Sequence, residues 1–256
     1  MKSDRKSGSS RSAFLENLPA NFVLPDDPVE SILLREYGAV FVANGGVVVP
    51  KAIVFKDSLE VSRFQEGLRK STRKIGGFDV VLQSAAMNTL QKAIREAARQ
   101  NLTITPRDID SAGRTYDETV SLWASRVDPA LMHWVGNGQI TEKDVDRIRS
   151  LTPFEQVSEV LELEEKGIYF AKDLSKSIIY SVAPPGASQH LTLLAFDIWE
   201  HENLDVRTIL ASEGWYQTVI SDLPHFTYLG AAERELAGFG LKKIRRGTRI
   251  FWVPDI

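Results

Sequence analysis

The chain of 256 residues contains no cysteine. That excludes disulfide staples, thiolate metal sites and cysteine nucleophiles, and leaves the redox compartment open. Histidine is scarce too, with four in all: His133, His190, His201 and His225. No apolar run approaches the ~20 residues that span a bilayer, so no membrane span is expected. An excess of positive charge is also missing. Lys and Arg number 31 against 34 Asp and Glu, a formal net charge of -3. A general nucleic-acid binder needs a basic surface to displace counterions, so no nucleic-acid partner is expected. The one basic cluster, Lys242, Lys243, Arg245, Arg246 and Arg249, reads as the solvated face of a terminal strand. The N-terminus is basic and serine-rich with no apolar segment behind it, which is not the pattern of a signal peptide.

What remains is the composition of an ordinary globular chain, 43% hydrophobic and 25% charged, long enough for one or two domains. Residues 1–28 are polar and then proline-rich, and read as a disordered or loosely wrapped arm. Residues 29–80 read as an extension made of a hairpin and a helix. The hairpin signal is Asn44-Gly45-Gly46 between two β-branched runs. The helix starts near Ser58, with Leu59, Phe64 and Leu68 facing inward. Residues 81–256 read as the main domain. Helices are expected over 84–100, from Tyr116 through Trp123, and over 141–149, 153–165 and 206–213. Thr141 and Asp144 have capping-box spacing. Strands are expected at 178–182, 215–220 and 244–253. The class is α+β, an antiparallel sheet flanked by helices.

Among the histidines, His190 lies seven residues before Asp197. In an extended or looped segment the two can converge on one cation, and imidazole and carboxylate are both good zinc ligands. His225 offers a third ligand from a separate segment. Three protein ligands plus one open position is the usual arrangement of a catalytic zinc. A histidine beside an aromatic is equally the mark of a hydrogen-bonded structural residue, and spacing alone leaves both open. His133 is expected to pack, and Trp123, Trp134 and Trp199 to lie in the core.

The segment Ser188-Gln189-His190-Leu191-Thr192-Leu193-Leu194-Ala195-Phe196-Asp197 resembles the motif S-x-H-x-x-G-x-A-x-D. That motif belongs to the D-alanyl-D-alanine carboxypeptidase and dipeptidase family of zinc peptidases. Pro184-Pro185-Gly186 resembles the turn leading into it. Asp222-Leu223-Pro224-His225-Phe226-Thr227-Tyr228 is similar to the family's E-x-W-H-x-x-Y. Ser111-Ala112-Gly113-Arg114-Thr115-Tyr116 is similar to its S-G-Y-R-S-Y. The three motifs run in the family's order over roughly residues 80 to 230.

The resemblance implies the hedgehog/DD-peptidase type of fold and one Zn2+ per chain, held by His190, Asp197 and His225. It implies Asp222 in the place of the catalytic glutamate and Arg114 as the arginine facing the substrate. Ser188, Thr119 and Tyr228 complete the implied substrate contacts. Four positions depart from the pattern. Leu193 replaces a glycine, so the loop is expected to take a conformation open to ordinary residues. Pro224 replaces tryptophan, Thr119 replaces glutamine, and Asp222 is one methylene shorter than glutamate. The implied activity is zinc-dependent hydrolysis of D-alanine-terminated peptidoglycan stem peptides in the cell envelope. The alternative is a non-catalytic zinc-containing protein that binds cell-wall peptides or a protein partner; a third reading leaves the trio structural. Oligomeric state stays open.

Overall fold

Most of the helices begin where short polar side chains cap them. The computed structural model describes residues 12–256, so the first part of the expected arm, 1–11, lies outside the described residues. In chain order, Ser12 caps α1 (Ala13–Asn17) and Asp27 caps α2 (Pro28–Tyr37), which starts on proline. Asp57 caps α3 (Ser58–Glu66). A hairpin, β1 (Lys70–Ile75) and β2 (Phe78–Gln83), leads into α4 (Ser84–Arg99). Thr115 with Glu118 and Thr141 with Asp144 form reciprocal capping boxes at α5 (Tyr116–Gly136) and α6 (Glu142–Ser150). After α7 (Glu155–Glu165) come β3 (Ala195–Asp197), α8 (Leu204–Ser212), β4 (Trp215–Tyr216) and β5 (His225–Tyr228). The chain ends with α9 (Glu233–Leu236), β6 (Leu241–Arg246) and β7 (Arg249–Pro254).

The class is α+β. Among the described residues the strands form three small antiparallel sheets, β1-β2, β3-β5-β4 and β6-β7, rather than one large sheet. The main apolar cluster runs through the molecule from Phe14 to Trp252, and a smaller one gathers Val61, Tyr116 and Leu191.

Several elements differ from the sequence expectation. Residues 12–28 are not a loose arm throughout: Phe14 is fully buried, and its backbone lies so close to Gly240 that a Cβ there would meet Phe14 N at 2.0 Å. The expected hairpin around Asn44-Gly45-Gly46 does not form. Both glycines adopt positive φ, as a turn requires, but the flanks do not pair. Gly38–Val42 is buried on every side and winds into a 3₁₀ turn continuing α2. Val48 instead exchanges its N–H and C=O bonds with the side-chain amide of Gln83. A run buried all round lacks the alternation that separates strand from helix. The same applies at Ile178–Tyr180, which is 3₁₀ and not strand. The segment expected as one closing strand is the hairpin β6-β7. In α3 it is Val61, not Leu59, that is buried. His133 and Trp199 are exposed, the latter by 67%.

Candidate metal centre

Strand register brings two of the three ligand candidates together. In the β3-β5 pair, Asp197 lies directly opposite His225, so their side chains rise side by side from one face. The intervening positions, Phe196 and Phe226, point into the core, where Phe196 packs on Trp215 with ring centres 6.5 Å apart. His190 arrives from the 3₁₀ turn Gln189–Thr192 that precedes β3. That turn closes at Leu193, whose backbone is left-handed with φ 56° and ψ 32°. The loop therefore keeps the conformation natural to glycine, contrary to the expectation, and a buried leucine bears it.

The segment 106–112 runs beside β3. Its Ser111 carbonyl accepts the Asp197 N–H at 2.8 Å, and its Ala112 carbonyl lies 2.6 Å from His190 Nδ1. A carbonyl can only accept, so His190 carries its proton on Nδ1 and turns the lone pair of Nε2 inward. His225 Nε2 is 2.9 Å from Gln189 Oε1, which leaves His225 Nδ1 facing inward.

The inward atoms are His190 Nε2, His225 Nδ1 and Asp197 Oδ1, separated by 3.2, 3.0 and 3.3 Å. A tetrahedral cation bound at about 2.0–2.1 Å spaces its ligand atoms about 3.3 Å apart, so the triangle has the right edge. Both histidines are almost fully buried. Burial pushes the His190 pKa down, favouring the neutral imidazole that binds metal. Burial alone would raise the Asp197 pKa, but His190 and His225 outweigh it and hold the carboxyl well below its usual range. A carboxylate oxygen and two imidazole nitrogens thus converge on one point. The trio can hold a metal ion.

The trio lines a cavity of about 420 Å³ together with Ser188, Arg114 and Asp222. Arg114 Nη1 is 3.4 Å from Ser188 Oγ and Nη2 is 3.4 Å from the Asp110 carbonyl, both long contacts. Its Nε is buried without a partner, and among the described residues Arg114 joins no ion pair. Its donors are therefore available to a ligand. Burial, and then the charge of Asp197, raise the pKa of Asp222, while His225, His190 and Arg107 oppose the rise. Two expected contacts stand elsewhere. Thr119 is buried, accepting the Gly186 N–H and donating to the Tyr116 carbonyl. It braces the turn where Gly186, at φ 76°, passes so near Phe55 that a Cβ would meet its carbonyl oxygen at 1.9 Å. Tyr228 shares the core face of β5 with Phe226, against Trp215, because strand side chains alternate.

Comparison with protein-family models, with curated proteins and with solved structures finds no match. The site's chemistry accordingly rests on its geometry. That geometry adds residues that the sequence did not single out. Arg107, Arg126 and Tyr37 line the cavity. Gln65 donates to the carbonyls of Arg114 and Leu191, and Gln83 to that of Thr192, so two amides hold the turn carrying His190. Gln189 lies between two motif residues, and that position inside the motif was its only sequence signal.

Proposed function

We propose that the protein is a zinc-dependent hydrolase of the carboxypeptidase kind acting on a peptide. The observation that carries this reading is the triangle of His190, Asp197 and His225, whose acceptor atoms converge within 3.3 Å in a cavity that also presents an unpaired arginine and a carboxyl. Zinc bound there supplies Lewis acidity, which polarises a carbonyl and brings water toward ionisation near neutral pH. Asp222 takes the proton from the attacking water and passes it to the leaving amine. Its raised pKa suits both halves of that exchange. Arg114 turns its free donors to a substrate carbonyl or carboxylate, with paired hydrogen bonds that a planar guanidinium favours. The Ser188 hydroxyl binds the substrate backbone beside it.

The three motif resemblances extend the reading to stem peptides of peptidoglycan ending in D-alanine, cleaved in the cell envelope. Elemental analysis of the purified protein tests the metal, and cleavage of D-alanine-terminated peptides tests the substrate. About one zinc per chain, lost in His190→Ala, supports the first; turnover supports the second.

A second reading has its own observation. Asp222 is one methylene shorter than glutamate, and its backbone is tied at both ends, its N–H to the Val219 carbonyl and its C=O to the His225 N–H. A carboxyl held back in this way suits a zinc-containing protein that binds cell-wall peptides, or a protein partner, without cleaving. Zinc content and peptide affinity without turnover would select that reading.

A further inference from the structure

We infer that Arg126 forms a second anion-binding subsite of the candidate cavity, reading an acidic group of the substrate well away from the part that faces the metal trio. Arg126 and Leu122, one turn apart on α5, both line that cavity, as do residues 179–183. Arg114 stands just before α5, and Arg126 lies about 15 Å along the helix from its first residue, Tyr116, at a rise of 1.5 Å per residue. The two arginines therefore belong to opposite ends of one space. The acids that line it sit at the metal end. Asp197 is in β3, Asp108 and Asp110 are in the segment beside it, and Asp222 is in the turn before β5. Around Arg126 the lining residues are Leu122, Tyr180, Ser181, Val182 and their neighbours, none of which carries a carboxyl.

Arginine stays charged in proteins, so a half-buried guanidinium on a cavity wall calls for an anion. Arg126 has none of its own: among the described residues it joins no ion pair. Its Nε donates to the Ser181 hydroxyl at 3.2 Å and its Nη1 to the Ser125 hydroxyl at 2.8 Å. Hydroxyls orient the group without neutralising it. Nη2 donates to nothing among the described residues, and it is not sealed from solvent. The serine that orients the guanidinium is itself held from behind. The Ser181 N–H donates to the Ile178 carbonyl at 2.8 Å, and the Ile178 N–H donates to the buried Glu164 carboxyl at 2.7 Å. The Tyr37 hydroxyl donates to the Ile179 carbonyl in the same turn. A hydrogen bond to an ionised acceptor is roughly twice as strong as one to a neutral group, so a carboxylate is the group this arginine selects. Leu122 and Val182 give an apolar wall for the methylenes that carry it.

The inference rests on the reading of this cavity as a peptide-substrate site, and the test keeps the two apart. Two probes differ only at the end remote from the D-alanines: N-glutaryl-D-alanyl-D-alanine carries a free carboxylate there, and N-pentanoyl-D-alanyl-D-alanine carries a methyl. Their affinities are measured on the full chain in chelator, where binding is read without turnover, and the measurement is repeated with zinc added. Wild type should hold the glutaryl probe about 10–100-fold more tightly, the worth of a hydrogen bond to a charged group. The same probe should shift the Nε–H resonance of Arg126 in ¹⁵N-labelled protein. Arg126→Gln should bind the two probes alike, and Arg126→Lys, which keeps a charge without the planar fork, should keep part of the preference. A purely structural arginine would lower the melting temperature and weaken both probes equally. Equal affinities in wild type overturn the inference, and so do failure of the glutaryl probe to bind and a full preference in a folded Arg126→Gln, which would place the acid at Arg107 or Arg114. Should the glutamine variant not fold, the wild-type preference, the Arg126 resonance and Arg126→Lys still decide. Acid preference without turnover in zinc would defeat the hydrolase reading and leave the subsite standing; turnover without acid preference would do the reverse.

Discussion

Leu193 offers a test whose sign is diagnostic. It ends the turn bearing His190 with φ 56°, where a side chain crowds the following carbonyl at a cost of about 1–2 kcal/mol. The strain is held because Leu193 is 3% exposed, and its Cδ2 fills the space beside Gly113, 2.7 Å from where a Cβ there would stand. Its N–H donates to the His190 carbonyl and its carbonyl accepts from Gln83. Leu193→Ala removes the buried side chain but keeps the strain, and should cost about 2–5 kcal/mol. Leu193→Gly loses the same packing but relieves the strain. At an ordinary backbone position glycine would be about 0.5–1 kcal/mol worse than alanine. Relief of about 1–2 kcal/mol reverses that order. The glycine variant is therefore expected to equal the alanine variant or exceed it by up to about 1.5 kcal/mol. Urea unfolding of the three proteins in excess chelator measures the differences with metal binding removed. A glycine variant below the alanine variant by the ordinary amount would refute the left-handed turn, and with it the presentation of His190 described above.

Zinc-loaded wild type should melt several degrees lower after chelation, since a ligand at 100 times its Kd contributes about 2.7 kcal/mol; His190→Ala should show no such shift, and equal shifts would remove the site. Asp222→Asn should keep its zinc and lose hydrolysis, and full turnover in that variant would end the proton-transfer role of Asp222. Glu164 is buried, accepting the N–H groups of Phe170 and Ile178 on one oxygen, and desolvation raises its pKa above 4.5 despite those bonds. A raised carboxyl makes the folded state bind more protons than the unfolded one, so stability falls as pH rises from about 4.5 through the folded value. Glu164→Gln keeps the acceptor and removes the charge. Relative to wild type it should gain stability as the pH rises above about 4.5 in chemical denaturation, whereas a difference that does not change with pH would contradict the assignment.

The long, strongly periodic elements were legible in the sequence. The helix at α4 carries its apolar stripe at helical spacing, and Thr141 with Asp144 marks the start of α6. The geometry of the candidate site was partly legible for the same local reason: seven residues bring His190 and Asp197 round one turn. What spacing could not reveal was that the β3-β5 register sets Asp197 opposite His225. Nor could it reveal which face Tyr228 takes. In β5 His225 fixes the parity, and a residue three positions on must face away from it. Tyr228 was assigned to the substrate by motif position, whereas strand alternation turns it to the core. Thr119 has similar limits, since its hydroxyl is taken up by Gly186 and Tyr116 and none of it reaches the cavity.

The misread hairpin and the unnoticed glutamines have one physical cause. Strand signals count residues that suit a ladder, but a ladder also needs a partner for its main-chain groups. Residues 47–49 have β-branched side chains and no partner strand, and Gln83 stands in for one by giving Val48 both an acceptor and a donor. The same amide reaches the Thr192 carbonyl, Gln65 bridges Arg114 and Leu191, and Gln189 ties Tyr37 to His225. Each of these is a side chain doing the work of a missing strand, across sequence separations that no periodicity records. Because an amide offers a donor and an acceptor at once, it can join two main-chain segments that run in unrelated directions. That is what the candidate centre needs, since its ligands come from a 3₁₀ turn and two short strands rather than from one continuous sheet.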